Sequence, residues 1–190
     1  ALNCAGIVLN KTISAMKGEE FALVVDINLN GSFYFVHAVL PHLLPGSRLA
    51  LIASVAGFTS NYAYSAYGAS KFGVIGLAKT LRYEYSDSGI GITCVCPPEV
   101  ETPLVFKERE QGDPVALGIK ALGGCLSADY ACDKIVAGLD KGTWIIIPGR
   151  RAKGMVLLSR LLPETFHAVM AHHIRKLRRT LAGKITTTET

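Results

Sequence analysis

Long uninterrupted apolar runs are missing from this chain of 190 residues; none reaches the roughly 18 residues a membrane-spanning helix needs. Charge is sparse, 18% against 49% hydrophobic residues, which excludes an intrinsically disordered chain. The five cysteines form no Cys-x-x-Cys pair, and the histidines have no carboxylate cluster beside them. Neither a metal site nor a disulfide framework is expected, and reduced, buried thiols in a cytoplasmic protein fit better. The opening residues Ala1, Leu2, Asn3 and Cys4 do not read as a signal peptide. They include no initiator methionine, so the chain reads as starting inside a larger unit.

The positive charge is confined. Residues 1–147 carry 11 Lys and Arg against 13 Asp and Glu, whereas residues 148–190 carry 9 against 2. A nucleic-acid footprint would cover a face of the fold and include stacking aromatics, yet the tail has only Phe166. Nucleic acid is therefore not an expected partner.

Short β-type runs alternate with longer helical stretches, the pattern of a parallel sheet with helices on its faces. Ala1–Leu2 read as a strand end entering the turn Asn3-Cys-Ala-Gly6. Residues 19–43 read as helix, 48–53 as a strand buried on both faces, 66–86 as a long helix and 91–96 as a strand stopped by Pro97-Pro98. Residues 98–126, with Pro103, Pro114 and several glycines, show no periodicity and read as a long loop. Ser127 caps a further helix, and 143–147 form the last strand. The division is 1–149 for the α/β domain and 150–190 for a basic helical tail split by Pro163.

Ser54, Tyr67 and Lys71 are the sharpest constellation. Ser54 follows a strand, at the carboxyl end where open α/β sheets place their ligands. Tyr67 and Lys71 stand four apart at a helix start, hence on one face. Alone, such a pair is commonly a packed tyrosine and a solvated lysine. Asn28, in Asp-Ile-Asn-Leu-Asn-Gly, fits a helix kink or cap as well as a site. Cys94 and Cys96 share a strand face as small core residues.

Taken jointly and in order, these residues resemble the short-chain dehydrogenase/reductase family. The likeness covers residues 1 to about 149: the Asn-Asn-Ala-Gly turn (Asn3, Cys4, Ala5, Gly6), Asn28, Ser54, Tyr67-x-x-x-Lys71 and the Pro-Gly-x-x-x-Thr segment (Pro97 to Thr102). Cys4 replaces the second Asn, and Pro98 the Gly, which removes an N–H donor. The run Cys96-Pro-Pro-Glu-Val-Glu-Thr-Pro103 is similar to the 3-ketosphinganine reductase branch.

The resemblance implies a Rossmann-type doubly wound sheet and hydride transfer between NAD or NADP, the latter favoured, and a carbonyl or secondary alcohol such as a keto-lipid. It implies Tyr67 as acid/base, Ser54 as hydrogen-bond donor to the carbonyl, Lys71 on the ribose and the tyrosine, and Asn28 in a proton relay. Asn3, Ala5, Gly6, Pro97, Val100 and Thr102 would join Tyr67 and Lys71 around the cofactor. Lys71 is expected to favour the phenolate of Tyr67. No glycine-rich phosphate turn occurs, so the domain reads as amino-terminally incomplete. A non-catalytic fragment serving dimerisation or a membrane surface is the alternative. Helix 66–86 is the expected surface for a homodimer or homotetramer.

In the tail, Phe166, Met170, Ile174, Leu177 and Leu181 form one narrow helical stripe, with Arg175, Lys176, Arg178 and Arg179 largely away from it. The stripe suits packing on the domain or a second subunit. It also suits peripheral contact of residues 164–182 with an anionic membrane.

Overall fold

The computed structural model describes residues 1–188, and side chains through Ala182. A parallel four-stranded sheet has the order β1 (Leu2–Asn3), β2 (Arg48–Ile52), β3 (Gly91–Val95) and β6 (Ile145–Ile146). A small parallel pair, β4 (Glu99–Val100) and β5 (Cys125–Leu126), stands apart. The run Arg48–Ile52 forms the central strand β2 because its apolar side chains find cover on both sides, with Leu49 and Leu51 fully buried.

One face carries α1 (Gly18–Val25), α2 (Gly31–Val39) and α4 (Ser65–Glu84). Val36, Val74, Ile75 and Ala78 pack there on Leu49, Leu51 and Cys94. On the other face lies α7 (Ala128–Asp140). Its Gly138 comes so close to Ile146 that a Cβ would stand 2.6 Å from Ile146 Cδ1. Ile146 pairs with Val95 and so points away from Cys94. The sheet is thus doubly wound, as expected.

α1 and α2 are one continuous helix joined by a π-turn, Asp26–Asn30, and closed by a 3₁₀ turn, Leu40–His42. By length and composition Gly18–His42 would cross a membrane. In the fold Val36 is buried against the sheet and Val24 is buried on α1, which packs on α4, while Phe21, Leu23, Phe33 and Tyr34 are exposed.

Residues 98–126 correct the expectation of a loop. They hold α5 (Pro103–Gln111) and α6 (Pro114–Ala121) between β4 and β5. Each helix carries proline in its first turn, where the missing N–H costs nothing. Asp113 accepts from Val115 N (2.8 Å) and Ala116 N (3.0 Å). The prolines that look like breakers are starters.

Two long helices, α8 (Arg150–Leu161) and α9 (Pro163–Thr188), form the tail. Ala152 and Val156 of α8 pack on Val55, beside Phe58. The stripe Phe166, Met170, Ile174, Leu177 and Leu181 is half-buried, and Leu177 rests on Gly118 of α6. The cysteines are all free, but only Cys94 and Cys96 are buried. Cys4, Cys125 and Cys132 are exposed, which corrects the expectation of buried thiols throughout.

Candidate active site

Ser54 is set by the end of β2. The ladder runs on past the strand: Ala53 N donates to Val95 O (2.8 Å) and Val55 N to Pro97 O (3.0 Å). Ser54 Oγ then accepts from Ala56 N (3.1 Å), opening the short helix α3 (Ala56–Thr59). Gly57 lets α3 lie flush on α4. A Cβ there would stand 2.7 Å from the Lys71 carbonyl oxygen and 2.6 Å from Ile75 Cδ1.

Tyr67 and Lys71 sit one turn apart on α4, with the ammonium 5.6 Å from the tyrosine ring centroid. Lys71 is 4% exposed and donates to Ile52 O at 3.0 Å. Burial lowers its pKa to about 8, against a raising influence of nearby cysteines. Burial likewise pushes Tyr67 up to about 12, opposed by the Ser54 hydroxyl and assisted by the Glu108 charge. Burial outweighs the Ser54 hydrogen bond at Tyr67, and Lys71, bonded to Ile52 O, adds no lowering influence. The ammonium spends its bond on a carbonyl, and the ring gains more from staying neutral than from a partly desolvated cation.

Asn28 lies at the centre of the π-turn, completely buried. Its Oδ1 accepts from Ile7 N (2.8 Å), and its Nδ2 donates to Ile7 O (2.9 Å) and Ser70 Oγ (3.0 Å). A Cβ at Gly6 would stand 3.2 Å from Asn28 Oδ1 and 3.4 Å from Lys71 Nζ, so turn, helix and lysine meet there. Asn3 shapes this turn, accepting from Ala5 N (3.1 Å) and donating to Ser32 Oγ (3.1 Å).

A cavity of about 280 Å³ brings together Gly6, Ser54, Tyr67, Lys71, Pro97 and Pro98, with Val100 and Thr102 also in its wall. Asn3, Ala5 and Asn28 do not line it. No group of three or more His, Cys, Asp or Glu able to hold a metal occurs among the described residues.

Sequence reasoning missed the opposite wall. Glu108 of α5 is buried and accepts from Asn10 Nδ2 (2.7 Å) and Tyr64 Oη (2.5 Å), and it pairs with Lys120 of α6. Lys120 also stands 3.5 Å from Glu99, which binds Arg109 at 2.5 Å. Burial, then the Glu108 charge, pushes the Tyr64 phenol well above its ordinary range. The one available signal was Tyr64 at three residues before Tyr67, hence on a neighbouring face of the same helix. Nothing in the spacing of Glu99, Glu108 and Lys120 announces their meeting.

A parallel, doubly wound sheet with its polar cluster at the carboxyl ends of the strands is a Rossmann-like α/β domain. The profile described as short chain dehydrogenase matches residues 2–113, and the chain belongs to that family. It is 31% identical to 3-dehydrosphinganine reductase TSC10B of Arabidopsis thaliana, over 74% of this chain and 44% of that protein. It is 40% identical to cyclohexanol dehydrogenase of an Acinetobacter species, over 58% of this chain and 46% of that protein. The chain thus spans about half the length of the curated relatives it matches. Among solved structures, a short chain dehydrogenase from Burkholderia cenocepacia in complex with NADP superposes with a TM-score of 0.75. It shares 18% identity, and the match covers 89% of this chain and 67% of that one. That likeness shows the fold.

Proposed function

We propose that this chain supplies the chemical half of an NAD(P)-dependent reductase acting on a ketone or the corresponding secondary alcohol, with NADP favoured. One observation carries the reading: Ser54, Tyr67 and Lys71 line a single cavity at the carboxyl end of β2. The nicotinamide–ribose end of the cofactor fits this cavity. Lys71 has given one of its three N–H bonds to Ile52 O, leaving donors for ribose hydroxyls. Gly6 and the segment Pro97–Thr102 would flank the ring. Bound there, the nicotinamide supplies the hydride.

The chain's own residues do the rest. The Ser54 hydroxyl and the Tyr67 phenol aim two donors at one carbonyl oxygen, and Tyr67 hands over its proton as that oxygen becomes an alkoxide. A phenol held near 12 is fully protonated at neutral pH, the form that reduction requires. Asn28 holds the Gly6–Ile7 turn against Lys71 through three side-chain hydrogen bonds, and its place in a proton relay is part of the proposal.

The substrate proposed is lipophilic, a keto-lipid in the first instance. Supporting this are the apolar residues Leu104, Ile119, Met155 and Met170, which line the cavity beside the Glu99, Glu108 and Lys120 cluster, and the 3-dehydrosphinganine reductase relative. For assembly we propose a homodimer or homotetramer through α4, where Phe72 and Tyr83 are exposed. A cytoplasmic location with peripheral membrane contact through residues 164–182 completes the proposal. Arg175, Lys176, Arg178 and Arg179 are exposed for it, and with the stripe packed inward the apolar contribution falls to Leu157, Leu161 and Leu162 of α8.

The test is consumption of NADPH by the active protein with a long-chain ketone, beside Ser54→Ala and Tyr67→Phe. Loss of turnover in both variants supports the reading, and unchanged turnover in either removes that residue from the chemistry.

A further inference from the structure

A second cavity, of about 370 Å³, lies beside the first. The two have Thr59, Ser60, Asn61 and Met170 in common, so one thin wall divides them. That wall is built to stay in place. Ser60 and Ala63 have φ of 51° and 60°, a left-handed backbone that non-glycine residues adopt only where their surroundings hold it. Asn61 Nδ2 donates to Ala116 O of α6 at 3.4 Å. Tyr62 Oη accepts from Arg178 Nη2 of α9 at 2.9 Å, and the guanidinium lies 4.9 Å from the tyrosine ring centroid. Segment 60–63 is therefore tied to both the α5–α6 lobe and the tail. The remaining part of the divider is Met170, an unbranched thioether that changes shape at small cost.

The lining of the second cavity says what it would take. Phe58, Pro163, Phe166 and Ile174 give it apolar walls, and no Asp, Glu, Lys or Arg lines it. Its polar lining, Thr59, Ser60, Asn61, Tyr62, Ser159 and His167, offers hydroxyls, an amide and an imidazole but no carboxylate or ammonium. The apolar part, Phe58, Pro163, Phe166, Met170 and Ile174, suits an uncharged hydrocarbon segment. Outside Pro163, Leu162 is exposed, so apolar surface continues outward.

We infer that the second cavity is a subsite for the distal alkyl chain of the substrate whose carbonyl lies at Ser54 and Tyr67, with Met170 as the gate between the two. The tail helices thereby set which chain lengths are accepted. The inference rests on the ketone-reductase reading for what occupies the first cavity. The second cavity's own chemistry is independent of hydride transfer.

The 190-residue chain should be titrated calorimetrically with 2-alkanones from butanone to hexadecanone. Affinity should rise about threefold to fourfold per methylene until both cavities are filled, then level off. Ser159→Trp on α8 and Ile174→Trp on α9 fill the second cavity from opposite sides. Each should bring the plateau to shorter ketones while butanone binds as before. Should either variant fail to fold, the wild-type protein still decides. Of its three methionines, Met170 should show methyl-to-methyl nuclear Overhauser contacts with the far end of dodecanone. A chain-length-independent affinity, a plateau unmoved in both folded variants, or a dodecanone tail without contact to Met170 would overturn the inference. Failure of hydride transfer alone would strike the reductase reading and leave these binding results standing.

Discussion

Helix α4 and the α5–α6 lobe face each other across the cavity and are held by opposite means. α4 runs for 20 residues with a buried edge of Ala66, Ser70, Val74, Ala78 and Leu81, and the sheet fixes it through apolar contact. The lobe consists of two short helices tied to the rest by Glu108, Lys120, Tyr64 and Asn10, a buried polar junction. Apolar contact places Tyr67 and Lys71, whereas in the facing wall a polar junction adds to the buried Val105, Val115, Ala116 and Ile119.

The largest effect should fall on the α4 side. Tyr67→Phe leaves packing intact and removes only the hydroxyl, so kcat should fall by about 10²–10⁴-fold with cofactor affinity retained. A kcat within threefold of wild type, by about the same yardstick, would put the proton donor elsewhere. Next comes the lobe. Glu108→Ala leaves the partly covered Lys120 without its nearer partner and the buried Tyr64 and Asn10 without theirs, and should cost about 3–5 kcal/mol. Hydrogen exchange in α5 and α6 should accelerate while α4 stays protected, and equal acceleration in both would abolish the contrast between the two walls.

Lys71 gives a smaller effect that depends on pH. Its pKa is about 8 in the fold against 10.5 ordinarily, so between those values the unfolded chain binds the additional proton. The penalty of burying the ammonium is full below pH 8 and is relieved as pH rises toward 10.5. Stability should climb through that window by up to about 3 kcal/mol from this group. Urea unfolding of wild type and Lys71→Met at the two ends of the window isolates it, and parallel pH dependence in both proteins would mean the ammonium is solvated. The smallest change is Arg109→Ala. This arginine is 46% exposed, and its bond to Glu99 should be worth no more than about 1 kcal/mol. A loss as large as that of Glu108→Ala would make the junction a single charged unit.

The same contrast explains what was legible beforehand. Strands β2 and β3 and the helices flanking them follow from local pattern, because periodicity acts within one element, whereas Ser54, Tyr67 and Lys71 come together only through the resemblance to the short-chain dehydrogenase/reductase family. Glu108 and Lys120 are 12 residues apart on different helices, and Asn10 lies 98 residues from Glu108; no local rule brings them together. The lobe itself was hidden by Pro103 and Pro114, read as interruptions because the capping Asp113 was not weighed with the proline after it. The tail stripe was visible, but its destination was not. An amphipathic helix looks the same whether it meets α6 or a bilayer.

The π-turn at Asp26–Asn30 works as a phase correction. Val24, Asn28, Ser32 and Val36 are all buried, a strict repeat of four along one helix. In an unbroken α-helix such a repeat slips by about 40° at each step, or about 120° over three steps. The turn, marked by the bond from Gly31 N to Asp26 O, absorbs one residue and takes back about 100° of that slip. Two apolar anchors and the central asparagine thus share one meridian. Removing a single residue anywhere in the turn would restore a regular helix and rotate everything beyond it. Val36 would swing off the sheet and the outward aromatics Phe33 and Tyr34 would be re-aimed. In this helix length is a setting rather than a tolerance, and its dial is one residue wide.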